Sequence, residues 1–325
     1  MSRENKLSGV GFDMRPEIIN FSNGIPIRAF IWNSGQYPYH WHNAVEIIYV
    51  MEGSVNIKIG AETHLLKENN VAVINVDEIH GIAKDPGDNK VLFIQIDPAF
   101  CEKVLPDFKY TFFYCSSIYH EAVVPEKYHI LKGYLARLVG EINKGSQAVC
   151  KKDIESSLQK MLIYLAYNFD FIRWGMGTEA LDEKLVKRIK QMYEYAAGHY
   201  SDKMGLKDLT ELVSIGVHHM SHFVTEKFGK TFQDLLNYSR GEQAARLLLG
   251  TDKRILDISL ECGFSDPKYL IKYFKSNYQC TPLQFRRMYR AEDKTLASQI
   301  EYQDYPLSEA SNYLEPYINA ANSLD

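Results

Sequence analysis

Apolar and polar residues alternate in short runs through the first third of the chain, which is the pattern of half-buried β-strands. In the segment IRAFIW, one face carries Arg28, Phe30 and Trp32, and the other carries Ile27, Ala29 and Ile31. The segment VEIIYVMEGSVNIKIG has two apolar runs about Glu52-Gly53, which predicts a hairpin. Two further apolar runs extend the strand region over residues 25 to 97, as in an all-β barrel or sandwich.

The hydrophobic period changes after Pro125, where apolar residues recur every three or four positions and predict two amphipathic helices. The stretch RWGMGTEALDE has two glycines and little periodicity, and Thr178 is a suitable N-cap for the next helix. Helical spacing then continues to Tyr289, punctuated by glycines. The predicted fold class is α+β multidomain, in five parts: an N-terminal β-barrel (1–124), a helical pair (125–172), a linker (173–180), an all-α tandem helix-turn-helix domain (181–290) and an acidic C-terminal extension (291–325).

Composition narrows the class of protein without naming a function. The chain has 325 residues, enough for two or three domains, and is 46% hydrophobic and 24% charged, which excludes collagen-like, disordered and disulfide-scaffold chains. No run approaches 18 apolar residues, and MSRENKLSGV lacks a signal-peptide core. The five cysteines lack CxxC spacing. We therefore expect a soluble, unexported chain in the reducing cytoplasm, without a membrane partner.

Charge is sorted by region. Residues 181 to 290 carry 18 Lys and Arg against 13 Asp and Glu, whereas residues 291 to 325 carry one Lys and seven acids. A basic segment in an acidic chain favours a polyanion partner, although a solvated helical face would carry similar charge.

The basic segment contains two similar units, residues 206 to 232 and 255 to 282, each a short helix, a glycine-containing turn and a second helix. This is the helix-turn-helix layout, whose second helix enters the major groove, and two such helices can lie in successive grooves. A pair of plain bundle elements is the alternative. We predict that Ser265 caps a helix from Asp266 to Asn277. The candidate base-reading and phosphate-binding residues are His218, His219, Ser221 and His222 in the first unit and Asp266, Lys268, Ile271, Lys272 and Lys275 in the second.

The second unit, I-x-D-I-S-x-x-x-G-F-S-D-x-x-Y-L-x-x-x-F-K-x-x-x-x-x-T-P-x-x-F-R, strongly resembles the signature of AraC/XylS transcription regulators. The connecting R-x-E-x-A-x-x-L-L also fits. The resemblance implies that Arg240, Arg246 and Arg286 support the fold and contact the DNA backbone rather than bases. The chain departs from the family pattern at Ser259 and Thr210, where alanine is usual, at Gln279, where glycine is usual, and at Gly216-Val217-His218, where a serine-led cap is common.

The pattern Gly35-x4-His40-x-His42-x3-Glu46-x6-Gly53, followed by His80, resembles the cupin motif pair. Alternation predicts that His40, His42 and Glu46 share one strand face, so these three and His80 are candidate ligands for a divalent metal. The second motif lacks its glycine and its Pro-x-Gly, and no cofactor is expected. AraC-type sensor domains resemble cupin barrels without metal, which favours an effector pocket formed by Arg28, Trp32, His40, Trp41, His42, Glu46 and His80. His64, His120 and His129 are predicted to be surface residues.

The resemblance implies a cytoplasmic, ligand-responsive transcriptional regulator that binds double-stranded promoter DNA. It further implies an activator of carbohydrate-utilisation genes that responds to a sugar or sugar derivative and works with RNA polymerase. The helical pair would form a homodimer, or else pack against its own barrel. The alternative functions are a metal-dependent cupin enzyme with a helical accessory domain and a purely structural interaction protein. The acidic extension either docks on the body or stays loose.

Overall fold

The computed structural model describes residues 17, 19–21, 24–33, 35–83, 87–106, 108, 111–144, 151–170, 231–296 and 303–321, together with single residues and short groups between 191 and 225. The predicted linker, 173–180, lies outside the described residues. Eight strands occupy the N-terminal region: β1 Ile27–Asn33, β2 Tyr37–His40, β3 Val45–Glu52, β4 Ser54–Ile59, β5 Glu62–Lys67, β6 Val71–Ile74, β7 His80–Ala83 and β8 Lys90–Ile96. Together with a ninth strand near the C-terminus, β9 Gln303–Tyr305, they form two sheets that do not close into one barrel, with orders β6-β3-β8-β1-β9 and β2-β7-β4-β5.

The two sheets pack against each other through alternate residues of their strands. Ile48 of β3 and Phe93 of β8 come from one sheet, and Ile57 of β4 and Leu66 of β5 from the other, within one buried cluster. The predicted hairpin is present, because β4 follows β3 directly. Strand β3 is apolar at nearly every position because both of its faces are covered, one by the second sheet and one by helices.

Four helices follow: α1 Pro98–Val104, α2 Ser117–His120, α3 Pro125–Asn143 and α4 Lys151–Phe169. The apolar stripes of α3 and α4 pack on the outer face of the five-stranded sheet, in one core with Ile47, Tyr49 and Ile94. The helical pair therefore packs against the strands of its own chain, which is the second of the two arrangements predicted for it. Lys132 is buried in α3 and is paired with Glu121 at 2.6 Å.

The acidic extension docks on the N-terminal domain. It forms β9 Gln303–Tyr305, α9 Glu309–Leu314 and a 3₁₀ turn Glu315–Tyr317. Strand β9 pairs antiparallel with β1, and α9 packs against α3 with Leu314 fully buried. The N-terminal domain is thus built from both ends of the described chain.

The C-terminal helices are α5 Phe232–Gly250, α6 Ile255–Glu261, α7 Pro267–Asn277 and α8 Pro282–Leu296. Arg286 and Arg290 of α8 donate to the Leu248 and Leu249 carbonyls in the last turn of α5, so they satisfy groups that a helix terminus leaves unpaired. Among helices in the described part of the chain, none combines the length and apolar character that a membrane span requires.

A third core joins the two regions, and we call it the interdomain cluster. Tyr39 of β2 and Ile79, just before β7, are buried within the core of the C-terminal helices. Arg246 Nη1 adds a hydrogen bond to the Asp77 carbonyl oxygen at 2.5 Å. The cluster consists of Tyr39, Ile79, Ala244, Ala245, Leu248, Leu249, Ile258, Cys262, Phe264, Leu270, Phe274 and Phe285.

Candidate functional site

Three polar side chains form a row across the inner face of the five-stranded sheet. Arg28 of β1 and Glu46 of β3 both pair with Gln95 of β8. Arg28 Nη1 donates to Gln95 Oε1 at 3.3 Å, and Gln95 Nε2 donates to Glu46 Oε2 at 2.7 Å. Glu46 and Gln95 are almost wholly buried, so this row places a fixed carboxylate inside the domain.

Three histidines lie opposite this row. His40 of β2 pairs with His80 of β7, with ring centroids 4.1 Å apart, and the His42 ring lies 4.9 Å from that of His80. The Nε2 atoms of His42 and His80 each lie 3.5 Å from an oxygen of Glu46. In the described part of the chain, ligand atoms of His40, His42 and His80 approach within 4.8 Å of one another, a spacing that could hold a metal ion. We call His40, His42, His80 and Glu46 the histidine cluster.

The structure corrects how this cluster is assembled. His40, His42 and Glu46 do not share one strand face: His40 ends β2 of the four-stranded sheet, whereas Glu46 lies in β3 of the other sheet. His42 lies in the connection between them, where it forms a β-bridge with Glu17. The side chains converge because the chain crosses from one sheet to the other within these few residues.

Burial and mutual charge set the protonation of the cluster. Burial lowers the pKa of His40 well below its usual range, and the neighbouring His80 and His42 act in the same direction. Burial alone would raise the pKa of Glu46, but the imidazoles of His42 and His80 outweigh it and hold that pKa well below its usual range. Burial would lower the pKa of His42, but the nearby Glu46 carboxylate outweighs burial and raises this pKa above its usual value. The cluster therefore contains an ionised Glu46 and a neutral His40.

Two residues of this site were not predicted from the sequence. The Glu17 carboxylate lies 3.5 Å from His40 Nε2 and 3.9 Å from Arg28 Nη1, at the edge of the cluster. No local pattern marks Glu17, because its main-chain bond to Trp41 brings it there from a distant segment. Gln95 did carry a signal, since it is the only polar residue inside the apolar strand VLFIQI.

The remaining predicted effector residues lie in two different places. Arg28 lies at the rim, with a side chain 42% exposed. Trp32 lies further along the same face of β1, where its ring contacts Phe30 at 4.3 Å between centroids and forms an aromatic wall. Trp41 does not point into the histidine cluster, because it packs over Gly250 and against the interdomain cluster.

Three further histidines were predicted to lie on the surface: His64, His120 and His129. His64 is not a surface residue: it is buried, and its Nδ1 lies 2.8 Å from the Tyr119 hydroxyl. His129 is exposed and contacts the Tyr317 ring. The side chain of His120 lies outside the described residues.

The second helix-turn-helix unit consists of α6, a turn and α7. The turn passes through Gly263 at φ +79°, and a Cβ there would lie 2.4 Å from the Tyr200 carbonyl oxygen, so only glycine fits without a shift. Tyr273 of α7 lies directly against Gly241 of α5, where any larger residue would clash. These close approaches dock α7 on α5 and orient its outer face.

That outer face is basic. Leu270 and Phe274 of α7 are buried, whereas Lys268, Lys272 and Lys275 are exposed at helical spacing on the opposite side, with Ile271 half-buried beside them. Asp266 is the N-cap of α7 and accepts a bond from the Lys268 amide at 2.8 Å, so the predicted cap at Ser265 is wrong by one residue. This role explains an acidic residue at the start of a basic helix.

Less of the first unit is described. Ser221 and His222 are exposed helical residues, while His218 and His219 lie outside the described residues. Thr210 is buried and donates to the Lys207 carbonyl oxygen. In the second unit, the Ser259 hydroxyl is wholly buried without a hydrogen-bond partner.

The three predicted arginines all donate to main-chain carbonyls. Arg240 donates to Tyr200 and Asp202, Arg286 donates to Leu248 and Lys253, and Arg246 reaches Asp77 of the N-terminal domain. Two of the three arginines thus hold the main chain around the C-terminal helices, and the third bonds to the N-terminal domain. Gln279 adopts φ +55°, the left-handed region, which explains why glycine is usual there.

Comparisons with known proteins follow the same division of the chain. The profile of an AraC-like ligand binding domain matches residues 27 to 157, and that of a helix-turn-helix domain matches residues 209 to 288. The chain belongs to the AraC family of transcriptional regulators. In this AraC-family chain the first match contains the histidine cluster and the second contains α6 and α7.

Relatives of this AraC-family chain are also regulators by name. An uncharacterised HTH-type transcriptional regulator of Staphylococcus aureus strain MSSA476 is 25% identical over 241 residues, which are 71% of this chain and 31% of that protein. The chain thus spans about a third of the length of this relative. The HTH-type regulator YdeC of Bacillus subtilis strain 168 is 22% identical over 271 residues, 78% of this chain and 88% of YdeC.

Among solved structures, the C-terminal domain of the two-component response regulator yesN from Fusobacterium nucleatum is 33% identical. The likeness covers 31% of this chain and 98% of that domain, with a TM-score of 0.30.

Proposed function

We propose that this chain is a transcriptional regulator that binds double-stranded promoter DNA and responds to a small ligand in its N-terminal domain. The observation that carries the proposal is α7, whose apolar side is fixed on α5 and α6 while Lys268, Lys272 and Lys275 face outward. A short helix presented in this way after a tight turn suits the major groove, and lysines are suited to the flanking phosphates.

Both helix-turn-helix units act in the proposed mode. The second helix of each unit enters one of two successive major grooves on one side of the duplex. Arg240, Arg246 and Arg286 hold carbonyls of the protein, and we propose that they also contact the DNA backbone.

The N-terminal domain supplies the ligand response. Arg28, Gln95, Glu46 and the histidines offer convergent polar groups, and Trp32 lies on an aromatic wall beyond them, as suits a small polar ligand. At the finer level we propose a carbohydrate effector, activation of carbohydrate-utilisation genes through RNA polymerase, and a cytoplasmic homodimer. Regulator relatives favour this function over a metal-dependent enzyme.

The test is retention of genomic fragments by the purified full chain, followed by sequencing. Retention of discrete promoter fragments is expected, and the neighbouring genes indicate the effector class. No retained fragment even at low ionic strength would refute the proposal.

The Lys272→Ala variant tests the interface. Its affinity for a retained fragment should fall, and the slope of log K against log salt should flatten by about 1, because one phosphate contact is lost. Lys67→Ala on exposed β5 is the matched control and should leave both quantities unchanged.

A further inference from the structure

The three histidines of the histidine cluster are oriented by the same kind of contact. Each ring places Nδ1 against a main-chain oxygen two residues away: His40 against Pro38 at 3.1 Å, His42 against Ala44 at 3.0 Å and His80 against Glu78 at 2.8 Å. A carbonyl only accepts, so Nδ1 carries the hydrogen and, in the neutral ring, Nε2 presents its lone pair. Histidines that bind metals are held in this way.

The Nε2 atoms of His42 and His80 both approach Glu46 without forming a hydrogen bond to it. His42 Nε2 and His80 Nε2 are buried and have no hydrogen-bond partner, and each lies 3.5 Å from a different oxygen of Glu46. A charge-assisted hydrogen bond would measure about 2.7 to 2.9 Å. Two ligands about 2.1 Å from one ion, at tetrahedral or octahedral angles, lie about 3.0 to 3.4 Å apart. A proton on His42 Nε2 could form a hydrogen bond to Glu46 Oε2, but it would leave His80 Nε2 facing Glu46 Oε1 without one.

The ligand set selects the class of ion. Three imidazole nitrogens and one carboxylate oxygen suit divalent first-row transition metals, whereas calcium and magnesium prefer oxygen ligands alone. Gln95 holds Glu46 Oε2 at 2.7 Å, which fixes the carboxylate as a supporting residue would around a bound ion.

The same short segments reach the C-terminal helices. Tyr39 precedes His40, Trp41 separates His40 from His42, and Ile79 precedes His80. Tyr39 and Ile79 are buried in the interdomain cluster, and Trp41 packs against it. A shift of the histidines toward an ion would therefore move side chains that touch α5 and α8.

We propose that His40, His42, His80 and Glu46 bind one divalent first-row transition metal ion, and that this occupancy changes the DNA affinity of the C-terminal helices. The binding half stands on the geometry of the cluster alone. The DNA half rests on the proposed function.

The binding half is tested on the full chain after dialysis against a chelator, with Zn²⁺ in calorimetry and Co²⁺ followed by its visible absorption. One equivalent should bind, with affinity at least 100-fold lower in His42→Ala and in His80→Gln. The exposed His129→Ala is the matched control and should bind like the unaltered chain. Circular dichroism checks that each variant folds, and His80→Gln keeps a polar group in place if the alanine variant fails. Absence of Zn²⁺ binding by the unaltered chain, or equal affinity in a folded cluster variant, overturns the proposal.

The DNA half uses a genomic fragment retained by the metal-free chain, with affinity measured before and after Zn²⁺ addition. A change of at least threefold that is absent in His80→Gln supports the coupling, and an unchanged affinity with the metal bound overturns it. Metal binding without any DNA binding would refute the proposed function and leave the metal site standing. DNA binding without metal binding would refute the metal site alone.

Discussion

Replacement of Tyr39 tests whether the two regions form one cooperative unit. The side chain is 4% exposed, its hydroxyl donates to the Gly60 carbonyl oxygen at 2.8 Å, and its ring meets that of Tyr289 edge-on at 4.8 Å between centroids. Lys58 Nζ lies 5.3 Å from the ring centroid. The ring thus packs against α8, while the hydrogen bond to Gly60 and the cation–π contact with Lys58 hold it within the N-terminal domain.

The expected cost can be divided among these contacts. Tyr39→Phe removes the hydrogen bond and should lower the free energy of unfolding by about 1 kcal/mol. Tyr39→Ala also removes the edge-to-face pair, worth about 0.5 to 1.5 kcal/mol, and leaves a cavity, so the total loss should be about 3 to 5 kcal/mol. Tyr167, whose side chain lies 64% exposed on α4, provides the matched control, and Tyr167→Ala should change stability by less than about 0.5 kcal/mol.

Urea unfolding followed by circular dichroism, together with calorimetry, measures the effect. The unaltered chain should show coupled melting of the described regions, whereas Tyr39→Ala should separate the transition of the C-terminal helices from that of the sheets. A loss below about 1 kcal/mol in Tyr39→Ala, with a single transition retained, would show that the interdomain cluster does not couple the regions.

Three further substitutions test individual contacts. Ser259→Ala should raise the free energy of unfolding by about 1 kcal/mol in urea titrations, since it removes a buried hydroxyl without a partner, and a loss of stability would contradict this. Burial raises the pKa of Glu78 to about 7, with Glu242 acting in the same direction. The folded state therefore holds that proton more tightly, and stability falls as pH rises from about 4.5 to 7, so the advantage of Glu78→Gln over the unaltered chain should grow by about 2 kcal/mol between pH 5 and pH 8. An advantage independent of pH would rule out this titration. Leu314→Ala should cost about 2 to 5 kcal/mol in thermal or urea unfolding, because the side chain is fully buried in the core that contains α3, and a change under 1 kcal/mol would mean that the docked tail adds little.

Periodic elements could be predicted closely from the sequence. Helix α3 begins at Pro125, where the predicted change of period lies, and α7 covers Pro267–Asn277 against the predicted Asp266 to Asn277, because amphipathic patterns with proline at their start leave little choice. The cap of α7 was misplaced because Ser265 and Asp266 are both good N-cap residues, and only the bond to the Lys268 amide distinguishes them.

The sequence indicated which residues approach one another in the histidine cluster, but not which strands carry them. Motif spacing brought His40, His42, Glu46 and His80 together, whereas their assignment to one strand face failed because β2 and β3 belong to different sheets. Glu17 could not be predicted, since a single bridge at long range brings it to the site.

The docking of residues 303 to 321 on the N-terminal domain could likewise not be predicted from local sequence patterns. Strand β9 has three residues, too few for a period-two pattern, and its partner β1 lies at the other end of the described chain. Contacts of such sequence separation leave no trace in composition or in short-range spacing.

The pairing of β9 with β1 sets the order in which parts of the protein can fold during synthesis. Residues 303 to 321 leave the ribosome after the C-terminal helices α5 to α8, yet β9 covers the free edge of β1 and α9 covers α3. At about 5 to 20 residues per second, that edge stays open for tens of seconds during translation. The N-terminal domain is therefore completed last although its first strands are made first, and a product truncated before β9 exposes a pairing edge on which nascent chains can aggregate.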